Sequence, residues 1–453
     1  MDSSKRCGVH AGRLSESEYA INFGDAHPPL TAVQASIEAE RCYYCYDAPC
    51  MTACPTGIDV PSFIARIAQD NIRGAARAIL EANPLGGMCA RVCPTEMLCE
   101  QACVRNTNED KPVEIGALQR YATDGFMAAG GAPLFKRAAA TGKKVAVVGA
   151  GPAGLACAHG LALQGHDVAL FDARPKLGGL NEYGLASYKT PADFAQKEID
   201  WLLSVGGIAP HNNQRLGRDF TLDSLLSSHE AVFLGMGLAG VNDLGIAEPV
   251  AKGLRNAVDF IADIRQSPDK STVPVGRRVV VIGGGMTAVD AAVQARLLGA
   301  EEVTIVYRRG QEAMSASTVE QQWAQTHGIK IRLWSAPQEV LVEDGAVTGI
   351  RVMGTSQQGG KLQETGEVTT LAADMVLKAI GQSYIAEPAG ARLQLQGGRI
   401  QTDADGQTSV ERVWAGGDCR YGGRDLTVEA VEHGKRAAQS MHRVLMGRVG
   451  VGA

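Results

Sequence analysis

The sequence lacks the features of several common protein classes. No apolar run approaches the 18 or more residues of a membrane-spanning helix, and the first 30 residues lack an apolar signal core. The 44 Lys and Arg residues are fewer than the 49 Asp and Glu residues, so there is no basic surplus to attract nucleic acid or an anionic membrane. We therefore expect a cytoplasmic protein that binds neither nucleic acid nor membrane.

Cysteine is scarce outside one short segment. Eight of the eleven Cys residues lie between Cys42 and Cys103, whereas Cys7, Cys157 and Cys419 stand alone. No His lies in that segment. Because a cytoplasmic chain keeps its thiols reduced, such a dense group indicates a metal site before disulfides.

The spacing of these cysteines favours iron–sulfur clusters. The two runs are Cys42-x2-Cys45-x4-Cys50-x3-Cys54-Pro55 and Cys89-x3-Cys93-Pro94-x5-Cys99-x3-Cys103. Closely spaced thiolates that end in Cys-Pro are typical of four-iron clusters, and the last Cys of a run often ligates the other cluster. Zinc sites use paired Cys-x2-Cys or Cys/His knuckles, and only Cys42 and Cys45 form such a pair. Zinc and buried structural thiols are the weaker alternatives.

The eight thiols leave two ligand arrangements open. Four thiols at each of two clusters is the simplest one. In the other, Cys89, which is offset from the Cys-Pro run, is replaced at one iron by a neutral oxygen ligand from elsewhere in the chain.

The segment 143–173 carries the pattern of a dinucleotide-binding unit. Gly149-x-Gly151-x-x-Gly154 follows the strand KKVAVV and opens a helix, and the next strand ends in Asp172. The glycines permit a tight turn, close approach of a pyrophosphate and close helix packing, while the acid accepts from ribose hydroxyls. The predicted binding residues of this turn are Gly149, Ala150, Gly151, Pro152, Ala153 and Gly154.

Two later glycine turns favour a flavin at this first unit. Gly178, Gly179 and Leu180 follow shortly after it, and AGGD near the carboxyl end supplies Gly417 and Asp418. A carboxylate on such a turn is suited to a polyol chain and a second phosphate. The last helix then begins at Thr427 and Val428, whose amides are expected to face the flavin edge.

The segment 277–307 repeats the pattern with a different strand end. Its turn supplies Gly283, Gly284, Gly285, Met286 and Thr287, and Ala288 replaces the third glycine. The following strand ends in Arg308 and Arg309, which suit a 2′-phosphate or stack on adenine. Further along, DMVLKAIG places Ala379, Ile380 and Gly381 at a third strand end. We expect a nicotinamide dinucleotide at this second unit, with NAD and NADP both open.

These patterns predict an α/β protein with a helical iron–sulfur domain followed by two Rossmann-like domains, the second inserted in the first. The expected ranges are 1–137 for the iron–sulfur domain, 138–243 and 380–453 for the FAD domain, and 244–379 for the NAD(P)H domain. Apolar spacing predicts helices over 31–41 and 61–82. We expect the iron–sulfur domain to form the docking face for a partner, with the mostly apolar segment 84–98 as part of that face.

Several of these segments together resemble one family. RCYYCYDAPCMTACPTGIDVPSFI, GGMCARVCPTEMLCEQACV and IGALQRYATD, followed by GAGPAGLACA, GGGMTAVDAA and AGGD, are similar to the electron-input subunit of bacterial NAD-dependent dihydropyrimidine dehydrogenase. The resemblance covers nearly the whole chain and includes the N-terminal module of the fused eukaryotic enzyme. It implies hydride transfer from NADH to FAD and single-electron transfer through two 4Fe-4S clusters. The implied partner carries FMN and reduces uracil or thymine, as part of a heterotetramer.

The resemblance also implies particular ligands. One cluster is held by Cys42, Cys45, Cys50 and Cys103, and the other by Cys54, Cys93, Cys99 and the side chain of Gln119, which leaves Cys89 unligated. Lys189 is implied to lie near the flavin, where the family usually has Arg. Ser315 replaces a residue that is basic in the NADPH-using eukaryotic form, and this favours NADH.

Three other functions compete with this interpretation. The small subunit of glutamate synthase has the same module order, a general electron donor to another acceptor has the same parts, and a non-enzymatic cluster-bearing module has only the cysteines. The two glycine turns and AGGD oppose the last of these. Hydride transfer requires no positioned acid or base, so we predict no catalytic side chain in this chain.

Overall fold

A computed structural model describes residues 7–130, 133–390 and 392–447 of the chain. The outer ends of the predicted domain ranges, residues 1–6 and 448–453, lie outside the described residues. In the part of the chain that is described, no helix is both long enough and apolar enough to cross a membrane.

The helices occur in an N-terminal group and then alternate with strands. In chain order they are α1 (Glu16–Asn22), α2 (Ala32–Glu40), α3 (Pro49–Ala53), α4 (Val60–Ala68), α5 (Ile72–Ala82), α6 (Gly86–Val92), α7 (Asn106–Glu109), α8 (Ile115–Ala128), α9 (Pro152–Leu163), α10 (Leu180–Tyr183), α11 (Phe194–Leu203), α12 (Leu222–Ser228), α13 (Ala257–Gln266), α14 (Met286–Leu297), α15 (Thr318–Thr326) and α16 (Thr427–Leu445). Short 3-10 turns lie between some of them.

The strands form two parallel sheets and several antiparallel pairs. They are β1 (Val9–His10), β2 (Lys144–Val148), β3 (Asp167–Phe171), β4 (Ile208–His211), β5 (Ala231–Leu234), β6 (Gly240–Val241), β7 (Leu254–Asn256), β8 (Val275–Gly276), β9 (Arg278–Ile282), β10 (Glu302–Val306), β11 (Lys330–Arg332), β12 (Ser335–Glu343), β13 (Ala346–Gln358), β14 (Lys361–Ala372), β15 (Met375–Lys378), β16 (Gln382–Ser383), β17 (Leu395–Gln396), β18 (Arg399–Ile400) and β19 (Val413–Ala415).

Local sequence explains the helix boundaries in the cysteine segment. Thr31 caps α2 through a capping box with Gln34. The predicted helix over 61–82 is two helices, because the side chain of Asn71 accepts from the amide of Gly74 and starts a new one, α5. The break turns the chain so that α4 and α5 pack against each other.

The described residues divide into two compact units. The first unit consists of residues 27–182, 192–239 and 384–447, and the second of residues 7–26, 183–191 and 240–383. Along the chain, residues 183–191 and 240–383 of the second unit are therefore insertions within the first unit, whereas residues 7–26 precede it. Residues 7–26 were predicted to belong to the iron–sulfur domain, 1–137. They belong instead to the second unit, because β1 pairs with β8 and α1 packs in that unit.

The first unit contains the helical segment α2 to α8 and a parallel five-stranded sheet of order β19-β5-β2-β3-β4. Strands β2 and β5 are almost continuously apolar and buried, as expected for a parallel sheet covered on both faces. Helices α9 and α16 pack closely on each other. A Cβ at Gly434 would lie 2.1 Å from the carbonyl oxygen of Ala153, so glycine is required there.

The second unit contains a parallel sheet of order β11-β10-β9-β15-β7 and an antiparallel sheet β12-β13-β14. Helix α14 is buried along much of its length and packs against β9 and β10. The core of the second unit includes Val279, Val281, Ile305 and Leu377. Both units thus place a glycine turn between a central parallel strand and a buried helix.

Candidate functional site

The first glycine turn connects β2 to α9 in a tightly constrained geometry. Gly149 has φ +94°, and a Cβ there would lie 2.3 Å from the carbonyl oxygen of Gly235. A Cβ at Gly154 would lie 1.8 Å from the carbonyl oxygen of Gly149. Gly151 differs, because its Cβ would meet only the Cα of Gly179 at 3.8 Å. Backbone packing therefore demands the outer two glycines, and the middle one leaves open space.

The predicted flavin residues converge on this turn. The amide of Gly178 donates to the carbonyl oxygen of Ala150 at 2.8 Å. Gly417 has φ +72°, and a Cβ there would lie 3.0 Å from the Cβ of Ala153. Three segments that are far apart in the sequence, 149–154, 178–180 and 417–418, thus surround the amino end of α9. No side chain caps α9 among the described residues, so its first turn is available to a phosphate.

Two carboxylates near the turn have different roles. Asp172 accepts from the amides of Ala150 and Arg174, both at 2.8 Å, so it fixes the turn itself. Burial raises its pKa although these hydrogen bonds lower it. Burial, followed by the neighbouring charge of Asp425, raises the pKa of Asp418 to about 6. Within the described residues no group donates a hydrogen bond to Asp418, and a polyol hydroxyl would supply one.

The amino end of α16 completes this site. Thr427 donates to the side-chain oxygen of Asn181 at 2.9 Å, which joins α16 to α10. Asn181 is 2% exposed and was missed by the sequence analysis, although it directly follows the Gly-Gly-Leu turn. Leu180 is 39% exposed beside it. The amino ends of α9 and α16, the carboxyl group of Asp418 and the open space at Gly151 together fit a flavin dinucleotide.

The second glycine turn repeats the geometry in the second unit. Gly283 has φ +145°, and a Cβ there would lie 2.1 Å from the carbonyl oxygen of Ala379. A Cβ at Gly284 would lie 2.5 Å from the ring of Tyr307, and one at Gly285 3.1 Å from the Oγ of Ser315. The predicted strand ends therefore meet at one turn. Met286 and Thr287 begin α14 there, and Ile380 and Gly381 follow Ala379.

The arginine pair at the end of β10 is exposed. No ion pair or side-chain hydrogen bond to Arg308 or Arg309 occurs among the described residues, so both guanidinium groups are available to a nucleotide. Residue Glu312 lies nearby, with its carboxylate against Gly310. This site fits a nicotinamide dinucleotide.

Lys189, which the resemblance places near the flavin, contacts two acids of the second unit. Its Nζ lies 2.8 Å from Asp290 Oδ1 on α14 and 2.6 Å from Glu320 Oε1 on α15. Burial lowers the pKa of Lys189, but the two carboxylates outweigh it and the net pKa is raised. Asp290 also accepts from the amide of Ala186 at 3.2 Å. These contacts attach the segment 183–191 to the helix behind the nicotinamide turn.

Four cysteines line one apolar cavity in the first unit. They are Cys42, Cys45, Cys50 and Cys103, which we call the first quartet. Burial, and then the neighbouring Cys42 and Cys103, raise the pKa of Cys50 to about 12. Burial, and then the neighbouring Cys45 and Cys103, also raise the pKa of Cys42. Thiols held so close together are stable as thiolates only when a metal supplies positive charge.

A second set of thiols lies beside the first. The pKa of Cys93 is raised by a hydrogen bond with Cys89, by burial, and by Cys99 and Cys54. Burial, Glu100 and Cys54 raise the pKa of Cys99. We call Cys54, Cys93 and Cys99, together with the ligand that completes them, the second quartet. Among the described residues, no three His, Cys, Asp or Glu side chains are arranged to hold a single metal ion.

The two candidates for the last ligand of the second quartet have different neighbours: Cys89 contacts Cys93, and Gln119 contacts Gly86 on the helix that carries Cys89. Cys89 is 2% exposed and contacts Cys93. Gln119 is on α8, and its Nε2 donates to the carbonyl oxygen of Gly86 at 2.6 Å. Since a carbonyl oxygen can only accept, the amide orientation is fixed and Oε1 is left as the free oxygen.

The expected docking face over 84–98 is wrong. Gly86, Gly87, Met88 and Cys89 are buried in α6. The side chain of Arg91 is only 4% exposed and pairs with Asp124 at 2.6 Å. Most apolar residues of this segment are buried, with Met97 the exposed exception, and sequence composition alone does not distinguish such a core segment from an apolar surface.

Comparisons with known proteins identify the iron–sulfur segment and the oxidoreductase segment of the chain. A family model for dihydropyrimidine dehydrogenase domain II, 4Fe-4S cluster, matches residues 19–131, and one for pyridine nucleotide-disulphide oxidoreductases matches residues 143–434. Thioredoxin reductase from T. acidophilum aligns with TM-score 0.54 and 21% identity over 67% of this chain and 99% of its own. FprA of Mycobacterium tuberculosis in complex with NADPH aligns with TM-score 0.56 and 19% identity over 69% and 87%. The two solved structures share the fold of the aligned part of this chain.

Relatives match along nearly the full length. The NAD-dependent dihydropyrimidine dehydrogenase subunit PreT of Escherichia coli K12 is 36% identical over 93% of this chain and 96% of its own. The small chain of NADPH glutamate synthase from the same organism is 33% identical over 93% of both chains. The putative oxidoreductase UacF is 34% identical over 95% of this chain and 71% of its own.

The fold and the sites define an electron-transfer oxidoreductase with an iron–sulfur domain, a flavin domain and a pyridine-nucleotide domain. The chain belongs to the family that includes the dihydropyrimidine dehydrogenase subunit PreT and the glutamate synthase small chain. The resemblance, the fold class and the oxidoreductase activity predicted from the sequence are thereby confirmed. FAD and 4Fe-4S chemistry are supported by the two matched domains.

Proposed function

We propose that this chain is the electron-input subunit of an NAD-dependent dihydropyrimidine dehydrogenase. It oxidises NADH, uses one FAD and two 4Fe-4S clusters, and delivers electrons to an FMN-containing partner that reduces uracil or thymine to the 5,6-dihydropyrimidine. It works in the cytoplasm as part of a hetero-oligomer. The observation that carries the proposal is that the first unit contains both thiol groups and the flavin turn, with Cys54 and Cys93 packed in one cluster with Leu426 and Val428 at the amino end of α16.

The first unit's residues bind and orient the flavin. The amino end of α9 would hold the pyrophosphate, Asp418 would accept from a polyol hydroxyl, and the first-turn amides of α16 would be available to the ring. FAD, when bound, supplies the exchange between a hydride pair and single electrons. Gly283, Gly284 and Gly285 would hold the nicotinamide dinucleotide in the same way, because glycines let a pyrophosphate approach the backbone. No side chain is required as acid or base.

Contacts of α16 support the order of electron flow. Val428 and Leu426, at the flavin end of α16, pack against Cys89, Cys93 and Cys54. The second quartet therefore adjoins the flavin side, and a cluster held there would be the first to take electrons from FAD. The first quartet follows, because Cys50 lies close enough to Cys99 to affect its pKa.

NADH is the proposed electron donor. Arg308 and Arg309 bind the adenosine end, while Ser315 beside Gly285 and Glu312 beside Gly310 add no further positive charge for a 2′-phosphate. Comparing kcat/KM for the two nucleotides in a dye-reduction assay tests this choice. A higher value for NADPH would contradict it.

The proposed partner is tested by reconstitution. The purified holoprotein is expected to reduce a dye with NADH but not to reduce uracil until the FMN-containing catalytic subunit is added. The glutamate-forming subunit of glutamate synthase serves as the matched alternative acceptor, because its small chain is 33% identical to this chain. Glutamate formation with that subunit, or uracil reduction by this chain alone, would overturn the proposal.

Substitutions separate the two candidate ligands of the second quartet. We expect Cys89→Ala to keep about eight irons per chain, whereas Gln119→Leu loses about half of the iron or yields a three-iron cluster. The reason is that the fixed amide of Gln119 leaves Oε1 free as a ligand, while Cys89 packs in an apolar cluster with Leu98 and Val428. Iron analysis and electron paramagnetic resonance of the reduced proteins provide the readout. The reverse pattern would assign Cys89 as the ligand.

A further inference from the structure

A buried glutamate lies against the helix that carries Cys89 and leads to Cys93. Glu198 on α11 has no exposed surface. Its Oε1 accepts from the amide of Gly87 at 2.6 Å, and Oε2 lies 3.2 Å from the amide of Met88. The residue that precedes α6, Leu85, provides no side-chain cap. Glu198, from a distant segment, accepts hydrogen bonds from the amides at the amino end of α6 instead.

The packing around these amides allows little movement. A Cβ at Gly87 would lie 2.5 Å from the ring of Phe194 and 2.8 Å from Glu198 Oε1. A Cβ at Gly86 would lie 2.4 Å from the side chain of Ile79. Gly87 therefore lets α11 approach the amino end of α6 closely enough for the carboxylate to bind its amides, whereas Gly86 makes room for Ile79 of α5.

The same end of α6 fixes Gln119. The carbonyl oxygen of Gly86, one residue before the amide that Glu198 binds, accepts from Gln119 Nε2. Gln119 shares a face of α8 with Gly116, three residues earlier. That face meets the segment between Cys93 and Cys99, since a Cβ at Gly116 would lie 3.1 Å from Thr95.

Glu198 is thus connected to the second quartet through one short chain of contacts. We propose that Glu198 is a positioning residue for the second 4Fe-4S cluster: it holds the amino end of α6, which through Gly86 holds Nε2 of Gln119 and so leaves Oε1 as the atom that would bind iron. This inference rests on the proposed function, because it takes Gln119 as a ligand. Comparable hydrogen bonds behind metal ligands fix the geometry of many metal sites.

Arg91 adds further contacts between α6, α8 and α11 beside Glu198. Arg91 lies over the ring of Phe194, 3.4 Å from its centroid, and its Nη1 donates to the carbonyl oxygen of Gly87 at 3.0 Å. Its Nη2 pairs with Asp124. Burial raises the pKa of Glu198 to about 8, while the two amides and Arg91 lower it. The arrangement is a dense hydrogen-bonded connection between α6, α8 and α11.

The test compares Glu198→Ala with Gln119→Glu and the double variant, all as anaerobically prepared holoproteins. Glu198→Ala is expected to lose iron to a chelator about tenfold faster from one cluster, and to change the paramagnetic resonance signal of that cluster alone. Gln119→Glu keeps a ligand oxygen but lacks the amide donor to Gly86. In that background, Glu198→Ala is expected to cause no further change. Glu198→Gln, which retains an acceptor for Gly87, should restore much of the signal.

The control is Glu38→Ala, which also removes a buried carboxylate that accepts a backbone amide, that of Glu114 at 2.9 Å. It lies in the same unit and is expected to leave the second cluster unchanged. Unaltered signals in Glu198→Ala, equal loss from both clusters, or additive effects with Gln119→Glu would overturn the inference. Wild-type protein without iron would instead refute the proposed function.

Discussion

Replacing Cys50 by alanine is expected to lower the iron content from about eight to about four atoms per chain. Cys50 is buried at the cavity of the first quartet, and the three remaining thiols do not complete a four-iron cluster. NADH should still reduce a dye, because the flavin site and the second quartet are unaffected. Electron delivery to the partner should fall by at least about a hundredfold, since the exit cluster is missing. Iron analysis and both activities measure these effects.

A matched buried cysteine serves as the control for Cys50. Cys157 lies in α9, fully buried, with its Sγ directed at the sulfur of Met441. Cys157→Ala should keep all the iron. Cys103→Ala should reproduce the loss seen with Cys50→Ala, because both belong to the first quartet. Full iron content in either quartet variant would show that these thiols are not ligands.

Replacing Gly154 by alanine is expected to abolish flavin binding and to destabilise the fold. Its Cβ would lie 1.8 Å from the carbonyl oxygen of Gly149, a backbone atom that moves only if α9 shifts. Overpacking of this kind costs about 1 to 3 kcal/mol or more in the free energy of unfolding. Flavin content and the thermal unfolding midpoint are the measurements.

Gly151→Ala is the matched comparison within the same turn. Gly151 has φ −75°, a value that any residue adopts, and its Cβ would meet only the Cα of Gly179 at 3.8 Å. The apoprotein should therefore unfold at the wild-type temperature, while flavin binding is lost because the Cβ occupies the approach of the pyrophosphate. Retained flavin in Gly151→Ala would contradict the placement of the dinucleotide.

Local patterns were sufficient to predict the two dinucleotide units. A buried strand, a glycine triad and a helix are contiguous in the chain, so the turns at Gly149 and Gly283 were predictable, although the atoms that crowd them belong to the distant Gly235 and Ala379. The inserted order was readable because the second triad interrupts the first unit. The family resemblance then supplied the ligand sets, which spacing alone left open.

Contacts between distant segments were not predictable in this way. Gly434 is required by the carbonyl of Ala153, and Glu198 caps a helix more than a hundred residues earlier. Neither residue belongs to a local motif. The docking face over 84–98 was wrong for the same reason, since only the packed structure shows that α6 is covered. Residues 7–26 also had no local signal for their place in the second unit.

The most direct test is an anaerobic purification followed by iron, sulfide and flavin analysis and a titration with NADH and NADPH. The account predicts about eight irons and one FAD per chain, with the visible absorbance bleached by NADH. Zinc in place of iron, or protein that binds no flavin, would contradict the electron-input function.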